Sequence, residues 1–145
     1  MRRYHHYYKA NARKESLIQI REFVSAALKN LMLSDIENNQ LVLAVDEICS
    51  NLIIHASQDN PNQIIELNIK DCNDELIFEI TDYNNDSFDP NTNYQTPNLQ
   101  KLINDKRKGG MGLMLVSRIM DSVEVRRERG YSLWRMTKKF LRNNP

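Results

Sequence analysis

Three of the chain's four glycines fall within four residues, Gly109, Gly110 and Gly112, directly ahead of the apolar run Leu113-Met114-Leu115-Val116. Glycine lets the backbone turn through positive φ and lets another group approach the main chain closely. A chain this poor in glycine that concentrates it before a helix-like segment is tightly constrained there: a loop ends and a helix begins. A helix start presents free N–H groups and partial positive charge. Together these suit an anion, phosphate above all. Lys106-Arg107-Lys108 stands immediately upstream and adds charge of the matching sign. The competing reading is a plain hinge between loop and helix.

With 145 residues the chain suits a single domain spanning 1–145, and a chain of this length buries roughly 70% of its unfolded surface. The net charge of +1 provides no global field toward nucleic acid or an anionic membrane. No apolar run is long enough to span a bilayer, and Met1-Arg2-Arg3-Tyr4-His5-His6 has no apolar signal core behind its arginines. Cys49 and Cys72 form neither a CxxC pair nor a ligand cluster, so they read as reduced, packed thiols. These features point to the cytoplasm, with neither nucleic acid nor membrane as a direct partner.

The residues from His5 to Ala12 suggest a first strand. Leu17, Ile20, Val24, Ala27, Leu28 and Leu31 recur at helical spacing. Ser34-Asp35-Ile36-Glu37 has the form of a capping box, so a second helix is expected from there to about Ala56, before Pro61. Ile65, Leu67 and Ile69 alternate with polar residues, as do Leu76, Phe78 and Ile80, with turn-like Asp71-Cys72-Asn73-Asp74 between them. The polar stretch from Tyr83 to Lys108 reads as a lid or as a disordered insertion, and the basic end and following glycines favour a lid. A helix from Gly112 to Met120, a strand through Val123 and Val125, a turn at Gly130 and a last strand through Leu133 to Met136 complete the order β-α-α-β-β-lid-α-β-β. Hairpins with segregated helices predict an α+β, two-layer α/β sandwich on a mixed sheet.

The second helix carries a polar seam. Glu47, Asn51 and His55 lie four residues apart and stack on one face of an otherwise apolar segment. Burying an unpartnered carboxylate is costly, so the seam faces water, a partner or a bound cation. A carboxylate and an amide oxygen one turn apart can hold Mg2+, directly or through water; an exposed helix face is the plainer alternative. Asp82 ends a strand whose inward positions are apolar. It is placed either to accept a hydrogen bond from a ligand amino group or simply to start a turn. The glycine cluster is neither a Walker loop, which needs G-x-x-x-x-G-K-S/T, nor a dinucleotide fingerprint, since Met114 and Leu115 stand where a third glycine is needed. His5 and His6 read as surface residues and Trp134 as core.

Taken in order, Glu47-x-x-x-Asn51-x-x-x-His55, then Asp82, then Gly110-Met111-Gly112-Leu113 resemble the N box and two glycine boxes of the Bergerat-fold (GHKL) ATPases, the family of gyrase, Hsp90, histidine kinases and MutL. The stretch from Gly109 to Val116, continuing through Met120-Asp121-Ser122-Val123-Glu124-Val125, is similar to the bacterial anti-sigma-factor serine kinases of the RsbW and SpoIIAB type. The Phe88-Asp89-Pro90 segment and the basic last strand fit as well, and the resemblance covers nearly the whole chain.

The resemblance implies a histidine-kinase-like ATPase domain with an ATP lid, using ATP and Mg2+. Glu47 would be the catalytic general base and Asn51 the magnesium ligand. Asp82 would bind the adenine amino group. Gly110 and Gly112 would offer backbone N–H groups to the phosphates. Asn84, Arg107, Lys108 and Ser132 complete the nucleotide-binding set. The implied function is a serine/threonine protein kinase that captures a sigma factor and phosphorylates a STAS-domain anti-sigma antagonist, commonly as a homodimer. One position departs from the pattern: the first glycine box, usually D-x-G, reads Asp82-Tyr83-Asn84. Asparagine tolerates left-handed backbone, yet its side chain intrudes where a ligand passes. A nucleotide-impaired, non-catalytic partner-binding module of the same fold is therefore the alternative. The ATPase part of a histidine kinase ranks below both, because the chain has no room for a helical dimerisation domain.

Overall fold

Two-residue alternation decides the sheet, and 3.6-residue spacing decides the layer above it. The computed structural model describes residues 4–54, 62–83 and 110–140. In chain order these form β1 (Tyr4–Asn11), α1 (Ser16–Leu28), α2 (Asp35–Ile54), β2 (Ile64–Asp71), β3 (Glu75–Tyr83), α3 (Gly110–Ile119), β4 (Ser122–Glu128) and β5 (Tyr131–Lys139). Of the lid expected from Tyr83 to Lys108, Tyr83 is the last residue of β3, and the rest, with Asn84, Arg107 and Lys108, lies outside the described residues, as do His55 and Gly109.

The start of α2 is set by its first residues. The Glu37 backbone N–H donates to Ser34 Oγ at 3.1 Å, and the Ser34 N–H donates back to Glu37 Oε1 at 3.3 Å. This is the reciprocal capping box. The first helix stops earlier than its apolar spacing predicts. After Leu28 the chain tightens into a 3-10 turn over Lys29–Leu31, and Met32 takes left-handed backbone at φ 56°. Leu31 still packs against the core from that turn. The β2–β3 turn is built on Asn73, at φ 73°. Its N–H donates to Asp71 Oδ1 at 3.1 Å, so the turn is closed by a side chain. Gly130, at φ 83°, serves the β4–β5 turn.

The strands lie in the order β1-β2-β3-β5-β4. The two-layer α+β class holds, with one correction to the sheet: among the described residues all four pairings are antiparallel, where a mixed sheet was expected. Two consecutive helices between β1 and β2 make three reversals of the chain, an odd number, which leaves those strands antiparallel. The β3-α3-β4 connection does make a parallel pair, but β5 inserts between its members and hydrogen-bonds to both.

One face of the sheet carries the apolar column. Ile69, Phe78, Met136 and Val123 align across four strands, as do Leu67, Ile80, Trp134 and Val125. The described helices cover this face, α1 beside β1, α2 over β3 and α3 beside β4, with α2 packed against both of the others. Ile20 and Val24 of α1, Leu41, Val45 and Ile48 of α2, and Leu113 and Val116 of α3 are buried beneath them. Trp134 packs against this core while only half-buried. Strand β4 is an edge guarded by exposed Glu124, Arg126, Arg127 and Glu128. Among the described residues no helix is long and apolar enough to cross a membrane.

Candidate nucleotide site

The apolar column of β3 ends in a carboxylate. Asp82 continues the inward phase of Phe78 and Ile80, and is 6% exposed. A buried charge needs a partner, and the partner is Gln63, itself 2% exposed, whose Nε2–H donates to Asp82 Oδ1 at 2.5 Å. Burial raises the Asp82 carboxyl above its ordinary value, and the Gln63 hydrogen bond opposes that rise. Ser132 sits directly across from Asp82 on β5, half-buried. Register alone therefore brings two of the expected nucleotide residues together.

Residues Glu47 and Asn51 lie one turn apart on α2, both half-buried. Their neighbour is the start of α3. A Cβ built on Gly112 would run into Glu47 Oε2, and would lie 3.2 Å from Cδ and 3.8 Å from Cβ of the same side chain. Gly112 has no positive φ. What requires glycine here is the close approach of the carboxylate to the helix backbone. Helix α3 begins at Gly110, so the N–H groups of its first turn have no partner within the helix. The expected general base and one of the expected phosphate-binding glycines, Gly112, are thus side by side.

The amide nitrogen of Asn51 is buried with no hydrogen-bond partner among the described residues. Such a donor costs about 1–3 kcal/mol until it finds an acceptor. The adjacent carboxylate, Asp46, is committed elsewhere. It accepts from Arg21 Nε at 2.7 Å and Nη2 at 3.4 Å, pinning α1 to α2. Of the two successive acids on α2, only Glu47 is turned toward α3. Cys49 packs in the core, its thiol pushed up to about 12 by burial first and the Asp46 charge second, which leaves it unreactive. Both Cys49 and Cys72 are free thiols. His5 is exposed, its Nε2 lying 2.6 Å from Asn68 Oδ1, and His6 is half-buried. Among the described residues no three His, Cys, Asp or Glu converge as a metal cage.

Sequence reasoning missed Gln63. The signal was present: Gln63 stands on the same alternating phase as Ile65, Leu67 and Ile69. A polar residue on the buried phase of a strand needs a reason, and Asp82 is that reason.

Residues 10–138 match the family described as histidine kinase-like ATPase domain. The chain is 34% identical over 122 residues to the serine-protein kinase RsbW of Staphylococcus aureus, covering 76% of this chain and 72% of that one. It is 32% identical over 106 residues to the anti-sigma F factor of Clostridium botulinum, covering 72% of each. It is 29% identical over 92 residues to the serine/threonine-protein kinase BtrW of Bordetella bronchiseptica, where the match spans 63% of each chain. A solved structure of the RsbU and RsbW domains of a Mycobacterium tuberculosis protein superposes with a TM-score of 0.62 at 11% identity, covering 96% of this chain and 35% of that one. That likeness is one of fold. The match to the family model and the identity to these relatives show it: the chain belongs to the histidine kinase-like ATPase domain family, in the branch that holds the anti-sigma F factors and the RsbW serine kinases.

Proposed function

We propose that the chain is an anti-sigma regulatory factor with serine/threonine kinase activity, which binds Mg-ATP and phosphorylates a serine of a STAS-domain antagonist. A sigma factor would be the alternative partner in the same circuit, placing the protein in the cytoplasm, and a homodimer would be the working unit. The observation that carries the reading is the contact of Glu47 with Gly112. It supports a cleft in which a carboxylate from one helix meets the unpaired amides of another.

In this reading Asp82 accepts from the adenine amino group and Ser132 flanks it on the next strand. The first-turn N–H groups of α3, from Gly110 to Gly112, donate to phosphate oxygens, and Arg107 and Lys108 supply charge from the lid. Asn51 would hold magnesium through its amide oxygen, with phosphate oxygens and water as the remaining ligands, since Mg2+ commonly retains several waters. The metal, when bound, neutralises phosphate charge. Glu47 orients the substrate serine and takes its hydroxyl proton as Oγ bonds to the γ-phosphorus and the bond to ADP breaks. Phosphoryl transfer asks a protein mainly for such positioning and charge compensation.

Isothermal titration with Mg-ATP tests the reading. Binding is expected, and Glu47→Ala should leave it largely intact while abolishing transfer to a serine substrate. The absence of binding at millimolar nucleotide would sink the kinase and leave the partner-binding module, to which the Asp82-Tyr83-Asn84 departure points. Normal transfer by Glu47→Ala would remove the assigned base.

A further inference from the structure

Gln63 does more than fill space under β2. Its backbone is tied down: the carbonyl accepts from the Ala12 N–H at 2.8 Å, beyond the end of β1. Its side chain is buried, and its Nε2–H donates to Asp82 Oδ1. Chemistry sets the amide orientation, because the flipped form would press two acceptor oxygens together. Oε1 is therefore turned away from the carboxylate. It is buried, with no hydrogen-bond partner among the described residues. A buried polar atom left unpaired next to a paired one asks for a donor.

We infer that Gln63 is the positioning and specificity residue of the base pocket: Nε2 holds the Asp82 carboxylate in one orientation, and Oε1 offers a second acceptor to the same ligand amine. This rests on the reading of Asp82 as the base-binding residue. An exocyclic amine has two N–H groups, and the Asp82–Gln63 pair has one acceptor for each. A 6-oxo purine presents a carbonyl at that place and meets two acceptors instead. Selection for a 6-aminopurine over a 6-oxopurine follows from this pair, and removal of a buried acceptor that a ligand uses is worth about tenfold.

The experiment is titration of the full chain with Mg-ATP and with Mg-ITP, for the native protein, Gln63→Leu and Gln63→Glu, with a thermal melt for each. The native chain is expected to prefer ATP. Gln63→Leu keeps the bulk and is expected to lower the ATP-to-ITP affinity ratio by about tenfold. Gln63→Glu keeps length and an acceptor but sets a like charge against Asp82, and should lose ATP selectively too. That variant also decides the matter if the leucine variant fails to fold. An unchanged ratio, or an equal loss for both nucleotides, overturns this inference alone. A native chain that binds neither nucleotide overturns the reading of the pocket along with it.

Discussion

Replacing Gly112 by alanine separates the two jobs that a glycine can do. Alanine in a helix is favoured over glycine by at most about 1 kcal/mol, and less in the first turn. Against this, the new methyl occupies the place of Glu47 Oε2. The obstructed atom is the far end of a three-torsion side chain, so Glu47 swings to another rotamer or holds a strained one at about 0.5–1.5 kcal/mol. The two terms nearly cancel. Stability should stay within about 1 kcal/mol of native, roughly 3 °C in Tm for a domain of this size. Activity should not survive so well, because displacing Glu47 from the base position proposed for it would forfeit roughly a hundredfold or more. Differential scanning calorimetry and a phosphotransfer assay read the two arms on the same preparations. Unchanged transfer in Gly112→Ala would refute the reasoning, since Glu47 would then act from a position it can leave. A large fall in Tm would refute it differently, by showing that backbone and not the carboxylate yields.

For Asp82 the sign follows from burial. Its carboxyl holds its proton above the ordinary value of 3.8, so the native state binds more protons than the unfolded one between 3.8 and the raised value. Stability therefore falls as pH rises through that window, and the charged form remains a cost above it. Asp82→Asn, which keeps an acceptor for Gln63, should be at least as stable as native by urea denaturation at neutral pH, with the gap closing in acid, while ATP affinity is lost. Native ATP affinity should likewise fall as the pH drops into the window, measured by titration. Ser34→Ala removes the acceptor of the Glu37 N–H and should cost about 1 kcal/mol with no effect on nucleotide affinity, which chemical denaturation and titration together would check.

Much of the scaffold is legible in advance because it is written in short-range patterns. Strand alternation is one case: Ile65, Leu67 and Ile69 against Leu76, Phe78 and Ile80 define a hairpin on their own. The Ser34–Glu37 spacing defines the start of α2. What escapes is what depends on distance in the chain. Nothing local says that β5 lies between β3 and β4, since neighbours in a sheet are chosen by the whole topology. The early end of α1 escapes because Met32, a residue with no turn signature, adopts left-handed backbone. Glu47 and Gly112 are each visible, but their contact joins segments sixty-five residues apart. Gln63 is easily overlooked because it stands one residue ahead of β2, where a glutamine reads as loop.

The insertion of β5 has a consequence for how the molecule comes into being. During synthesis β3 emerges early with one long side unpaired, and β4 follows with no strand beside it. Only residues 131–139 can join them. Until that segment leaves the ribosome, α3 and its first turn have no finished floor to rest on, so the proposed site is completed last, and by the strand that carries Ser132.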